Sequence, residues 1–126
     1  MNLNFESKKP IFLQISEQIE DAIFVGTFPE ETQIPSTTEI STTFKINPAT
    51  VLKGMNVLVD NNIIYKRRGV GMFVCSSAVD TIRKSRENNF YDNYIVKLVE
   101  EAKKLKLSKE DIISFIERGY TDEYRN

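Results

Sequence analysis

Histidine is absent from the 126 residues, and cysteine occurs once, as Cys75. Without histidine there is no Ser-His-Asp or Cys-His relay and no imidazole metal site. One cysteine closes neither an intramolecular disulfide nor a thiolate zinc site, and it fits a reducing cytoplasm. A carboxylate-only Mg²⁺ site or a carboxylate acid–base pair stays open. The acidic residues are scattered over helix faces, however, so neither enzyme activity nor a cofactor is expected. The five glycines (Gly26, Gly54, Gly69, Gly71, Gly119) form no phosphate-cradling loop. No apolar run reaches the roughly 18 residues of a membrane span, and Met1 to Pro10 lacks the apolar core of a signal peptide. A cationic excess is missing too. The net charge is −1, and residues 1–75 hold seven Lys/Arg against eight Asp/Glu. Any affinity for nucleic acid therefore has to come from local arrangement.

What is present reads as one small globular domain with an appendage: 40% hydrophobic and 28% charged residues. Pro10 suits the first turn of a helix, and Phe12, Ile15, Ile19, Ala22 and Ile23 follow at amphipathic spacing. Gly26 is placed to end that helix. A loop with two prolines follows, and Gln33-Ile34 is a candidate short strand. Ser36-Thr37-Thr38-Glu39 fits a capping box opening a short helix to about Phe44. Asn47-Pro48 opens a third helix as N-cap and first helical residue. Val51, Leu52, Met55, Leu58 and Val59 are read as its apolar face, and it ends near Asn61-Asn62. Ile63 to Lys66 and Met72 to Cys75 are rich in strand formers, with Arg67-Arg68-Gly69-Val70-Gly71 as the turn between them. Three helices followed by a hairpin make a winged helix-turn-helix, expected over residues 1–75.

Residues 76–126 are expected to form a helical tail. One helical stretch runs from about Val79 to Leu105, and a last helix starts at Ser108 and is closed by Gly119. The expected fold class is thus mainly α with a small β-hairpin. Two tail helices cannot bury their aromatic and aliphatic stripe on each other alone. Dimerisation through Phe90, Tyr91, Tyr94, Ile95, Leu98, Ala102, Leu105, Ile112 and Ile116 is the economical solution. The competing reading has Phe90, Tyr91 and Tyr94 lining a pocket for an unidentified small-molecule effector. Cys75 reads as a small strand residue, with redox sensing as its alternative.

In a helix-turn-helix the start of the second motif helix enters the major groove. The outer side of the Asn47 helix offers Ala49, Lys53 and Asn56, with Thr50 flanking. Lysine reaches guanine or phosphate, asparagine pairs with adenine, and alanine or threonine touches a thymine methyl. Lys66-Arg67-Arg68-Gly69 places three cations at a strand end and turn tip, suited to phosphates or a narrow minor groove. Taken singly, each feature also fits an ordinary capped surface helix and a solvated basic turn.

Together these residues resemble a family. Pro10-Ile11-Phe12-Leu13-Gln14-Ile15, Gly26, Ile34-Pro35-Ser36 with Glu39-Ile40, Ile46-Asn47-Pro48-Ala49-Thr50-Val51, and Ile64 to Val74 resemble the DNA-binding domain of GntR regulators. Asn-Pro-x-Thr-Val and the Glu-Glu-Ala-Lys-Lys-Leu stretch at 100–105 are similar to the YtrA-type subgroup, whose tail is a pair of dimerisation helices. The resemblance implies a transcription regulator, a repressor of a target such as a transporter operon, that binds a palindromic operator as a homodimer. It places DNA contacts on Ser36, Thr37 and Thr38, on Asn47, Ala49, Thr50 and Lys53, and on Lys66, Arg67, Arg68, Gly69 and Gly71. The family usually carries arginine where this chain has Thr38. Basic residues also occur in other branches at the positions of Pro48 and Leu52. Those departures and the charge balance motivate a rival: a winged-helix protein-interaction module that has lost DNA binding.

Overall fold

A computed structural model of the chain describes residues 1–122. It is mainly helical with one two-stranded antiparallel sheet, as the sequence predicts. Two compact units are formed, residues 1–85 and 86–126.

The first unit opens with α1 (Ile11–Phe24), which buries Ile15, Ile19 and Ile23. Gly26 lies just past its end at φ +90°, a left-handed conformation that costs glycine little. The arm ahead of α1 is held by two amides one helical turn apart. The Gln14 side chain accepts from the Asn4 N–H and donates to the Asn4 carbonyl. The Gln18 side chain does the same for Asn2. Gln14 is itself buried, and its second amide hydrogen satisfies the Lys9 carbonyl.

The expected capping box opens α2 (Thr37–Phe44). Ser36 Oγ accepts from the Glu39 N–H at 3.0 Å, and Glu39 accepts from the Ser36 N–H at 3.1 Å. Lys45 turns the chain in the left-handed region at φ 55°, and Ser41 Oγ donates to the Ile46 carbonyl across that turn. Asn47 caps α3 (Pro48–Asp60), its side chain accepting from the Ala49 N–H at 2.8 Å.

Helix α3 corrects one expectation. Val51, Met55 and Leu58 are buried, but Leu52 is 47% exposed and does not belong to the apolar face. The inward place is taken by Gly54, which packs against α1. A Cβ there would sit 2.7 Å from the Phe12 carbonyl oxygen and 3.3 Å from Ile15. Helical residues advance about 100° each, so 51, 54, 55 and 58 share one side and 52 falls off it.

The hairpin is β1 (Ile64–Arg67) and β2 (Gly71–Val74), paired from Ile64↔Val74 to Arg67↔Gly71. The Gln33 region adds a bridge to Phe73. Ile34 N–H donates to the Met72 carbonyl, and Glu31 and Val74 also join the two segments, so the outer edge of β2 is covered. Helix α4 (Ala78–Phe90) follows. The Glu30 carboxylate accepts from its Val79 N–H at 2.9 Å, and Ala78 and Ile82 join the core of Ile15, Ile23, Val51 and Met55. Their burial extends the first unit beyond the hairpin, to Ser85.

In the second unit the helical path continues through a π turn at Tyr91–Ile95 into α5 (Val96–Lys104), then α6 (Lys109–Thr121). The sequence gives no sign of the π turn. Lys106 at φ 58° makes the corner between α5 and α6, and Ser108 with Asp111 forms a second capping box. Gly119 does not close α6, contrary to expectation. It lies within the helix, which runs on to Thr121 with the Asp122 N–H returning to the Arg118 carbonyl. A glycine marks a helix end only where a left-handed residue is needed, and none is needed there.

Candidate nucleic-acid interface

Three elements of the first unit border one groove. Ser36, Thr37 and Thr38 come from the start of α2, Leu52, Asn56 and Val59 from α3, and Lys66, Gly71 and Met72 from the hairpin. The start of α2 is built to receive an anion. Ser36 Oγ is used as an acceptor by the cap, but its hydroxyl hydrogen is not. The N–H groups of Thr37 and Thr38, in the first turn, have no acceptor within the helix, and the helix dipole adds partial positive charge. Glu39 is the opposing element, a carboxylate in the same turn tied to the Ser36 N–H.

A second groove flanks the other side of α3. Asn47, Ala49, Thr50 and Lys53 line it with Phe5, Phe12 and Lys45. Lys53 Nζ lies 4.2 Å from the centre of the Phe12 ring, which gives a flexible side chain a preferred seat. Asn47 is constrained more than the sequence suggests. Its Oδ1 is occupied by the Ala49 N–H. With the cap closed it offers donors only, which suits a phosphate and not the donor–acceptor pairing that adenine requires.

The hairpin separates its three cations. Side chains alternate across a strand, so Lys66 shares a side with Ile64 and faces the α2–α3 groove. Arg67 falls on the opposite side, its guanidinium 4.7 Å from the Phe73 ring, with Tyr65 stacked on the same ring at 5.9 Å. Arg68 and Gly69 form the tip, closed by the Val70 N–H on the Arg67 carbonyl, with Gly69 at φ +76°. The tip is braced from behind. Gln33 Nε2 donates to the Val70 carbonyl at 3.0 Å, and the same nitrogen stands 2.5 Å from where a Cβ on Gly71 would be.

The sequence reading named residues that the structure divides between two grooves, Ser36, Thr37, Thr38, Lys66 and Gly71 on one and Asn47, Ala49, Thr50 and Lys53 on the other, with Arg67, Arg68 and Gly69 outside both. It missed Leu52 on the outer face, the Gln33 brace, and the two rings under Lys53 and Arg67. The spacing Ala49, Leu52, Lys53, Asn56 is a helical stripe and could have revealed Leu52.

Local charge departs from the overall balance. Lys53, Lys66, Arg67 and Arg68 make no ion pair among the described residues. Several carboxylates are committed elsewhere: Glu17 to Lys9, Glu30 to the Val79 N–H, and Glu31 to the Tyr65 hydroxyl. Cys75 is half-buried. Burial pushes its thiol pKa up, and the Glu31 charge adds to the effect, so the thiol is kept protonated.

In the second unit Ala102 is buried, and Ile95, Leu98 and Ile112 are half-buried. Phe90, Tyr91, Tyr94, Leu105 and Ile116 are exposed, with the Phe90 and Tyr94 rings 5.3 Å apart. Leu98, Ala102, Leu105, Ile112 and Ile116 line one apolar groove between α5 and α6, together with Leu107 and Phe115.

Residues 12–74 match the sequence pattern of "bacterial regulatory proteins, gntR family". The transcriptional repressor YtrA of Bacillus subtilis is 32% identical over 76 residues, covering 60% of this chain and 58% of YtrA. A GntR-family regulator from Bacteroides thetaiotaomicron superimposes with a TM-score of 0.73 at 30% identity, over 91% of this chain and 96% of that one. The AraR DNA-binding domain, solved in complex with operator ORE1, gives a TM-score of 0.52 at 28% identity over 59% of this chain and 90% of its own. The chain belongs to the GntR family of bacterial regulatory proteins.

Proposed function

We propose that this chain is a transcriptional repressor that binds a palindromic operator as a homodimer, in the cytoplasm, with no catalytic activity of its own. The observation that carries the reading is the single groove bordered by the start of α2, the outer face of α3 and Lys66 of the hairpin. Phosphates are met by the backbone of Thr37 and Thr38, by Ser36 and the Asn47 amide, and by Lys66 and Arg68. Bases are met from α3, by Ala49, Thr50 and Lys53. The net charge of −1 does not oppose this, because Lys53, Lys66, Arg67 and Arg68 make no ion pair among the described residues and keep their charge for a partner.

The tail supplies the dimer. The α5–α6 groove leaves Leu105, Phe115 and Ile116 between 44% and 61% exposed in one chain. A second copy covers such a surface and places two α3 helices on a two-fold operator. These exposed side chains also support dimer packing over an effector pocket for Phe90, Tyr91 and Tyr94, because none of the three is enclosed.

A mobility-shift titration with the DNA upstream of the chain's own gene, against a scrambled duplex, tests the DNA half of the reading. Preferred retention of the native duplex, weakened by Lys66→Ala, is expected; equal affinity for both duplexes refutes it. Sedimentation tests the dimer: two chains for the native protein, one for Leu105→Glu with Ile116→Glu. A native protein that sediments as one chain at micromolar concentration refutes that half.

A further inference from the structure

We propose that Leu52 is a specificity-determining residue that reads a thymine methyl, so that each operator half-site carries a thymine under the middle of α3. The inference rests on the operator-binding reading and adds what that reading leaves open, the chemistry of the base.

The outward stripe of α3 runs Ala49, Leu52, Lys53, Asn56. Leu52 stands on the side of that stripe toward α2 and the hairpin, at 47% exposure, in a groove whose walls include Thr37, Thr38 and Lys66. Of the three apolar side chains that line the groove it is the exposed one, since Met72 is buried and Val59 half-buried. It does not serve the core, because Val51, Gly54, Met55 and Leu58 fill the face toward α1. Nor does it serve helix formation, since any straight-chain polar residue does that equally well at an exposed site.

An isobutyl group cannot exchange hydrogen bonds with a base edge. Pressed against guanine O6/N7, adenine N6/N7 or cytosine N4, it strips water from those groups and leaves them unsatisfied. The one major-groove feature it complements is the C5 methyl of thymine, where contact removes apolar surface from water on both partners. Leu52 therefore selects for thymine by attraction and against the other bases by the polar groups it would strand. Asn56 lies one turn further along the same stripe and makes no hydrogen bond among the described residues. It is placed to read the neighbouring base pair.

The test uses duplex DNA selected by the full-length chain from a random pool. Each thymine of the enriched duplex is replaced singly by deoxyuridine, which deletes the methyl and leaves every hydrogen-bonding group in place. At one thymine per half-site the native chain is expected to lose about four-fold in affinity, the value of one buried methyl group. Leu52→Ala is expected to bind the thymine duplex more weakly and to be indifferent to deoxyuridine at that site. Leu52→Met, which keeps volume and apolarity, retains the sensitivity. The inference is overturned if no thymine in the enriched duplex responds, or if Leu52→Ala keeps the full four-fold response, which would assign the methyl to Ala49 or Thr50. If no sequence is enriched at all, the operator-binding reading fails and takes this inference with it.

Discussion

Replacing Gly54 by alanine sets two physical effects of known size against each other. Alanine is favoured over glycine inside a helix by about 1 kcal/mol, because it restricts the unfolded chain. At an exposed helical glycine that gain is the whole effect. At Gly54 the added Cβ comes within 2.7 Å of the Phe12 carbonyl oxygen and within 3.3 Å of two Ile15 side-chain atoms. The closest atom is backbone, in the first turn of α1, so it cannot swing aside as a side-chain tip would. Forcing an extra carbon into a packed core costs about 1–3 kcal/mol. The overpacking outweighs the propensity gain, and Gly54→Ala should destabilise the first unit by up to about 2 kcal/mol, as much as roughly thirty-fold in its unfolding constant. Gly119 is the internal control. It is helical as well, and nothing lies within 4 Å of the corresponding Cβ. Gly119→Ala should be neutral or stabilising by up to about 1 kcal/mol, with the lower end favoured two residues from the helix end. Urea titrations of the two variants, followed by far-ultraviolet circular dichroism, make the comparison. If Gly54→Ala raises the midpoint as Gly119→Ala does, the close approach of α1 and α3 described here is wrong.

Arg68→Ala should flatten the slope of log K against log salt by about 1 per wing, and Arg67→Ala with Arg68→Ala by about 2 if both meet phosphates; a slope unmoved by the pair means the wing does not touch DNA. Thr38→Arg should strengthen DNA binding, by about 1–3 kcal/mol where the new fork finds a guanine and less where it meets phosphate, and weaker binding to every duplex would place α2 differently on the groove. Asp111 titrates below the usual aspartate range because it accepts from the Ser108 backbone and side chain. The ionised cap therefore supports α6 fully above the ordinary aspartate pKa and loses that support as pH falls through the lowered value. Helix content lost in acid at that lowered pKa, and abolished as a transition by Asp111→Asn, is the expected record; an identical acid transition in the variant refutes it. The raised thiol pKa of Cys75 predicts slow alkylation by iodoacetamide at neutral pH, rising as pH increases, and alkylation as fast as a free cysteine thiol would contradict the burial of this side chain.

Helix starts were the most legible part of this sequence, because caps are local chemistry. Ser36 with Glu39, and Asn47 with Pro48, announce their helices within four residues, and the hydrogen bonds are present. The hairpin was legible from its strand formers and its glycine-bearing turn, to within a residue at each end. Faces were harder. Leu52 is as apolar as Val51, Met55 and Leu58, and only its helical angle sets it apart from the face they form. Gly54 gave no sign of its role, since its importance lies in how closely two helices approach, a tertiary quantity. Among the DNA-facing candidates residue types were readable and directions were not. Strand alternation divides Lys66 from Arg67, and Phe73, which seats Arg67, is six residues further along the chain. The π turn at Tyr91–Ile95 had no signal at all, because its one-residue insertion leaves a sequence that still reads as helix.

The brace behind the wing has an evolutionary meaning. Gln33 in its tethering position and a side chain at 71 compete for one space, since a methyl at 71 would crowd the Gln33 amide that now holds the Val70 carbonyl. In descendants of this chain the two positions are not free to drift independently. A side chain at 71 pushes the flexible Gln33 amide off the Val70 carbonyl and so surrenders the tether on the turn, and the φ of +145° there strains any residue but glycine. Lineages that keep the Gln33 tether keep the glycine. Those that lose the glycine should hold the tip by other means, or let its basic residues search the DNA untethered.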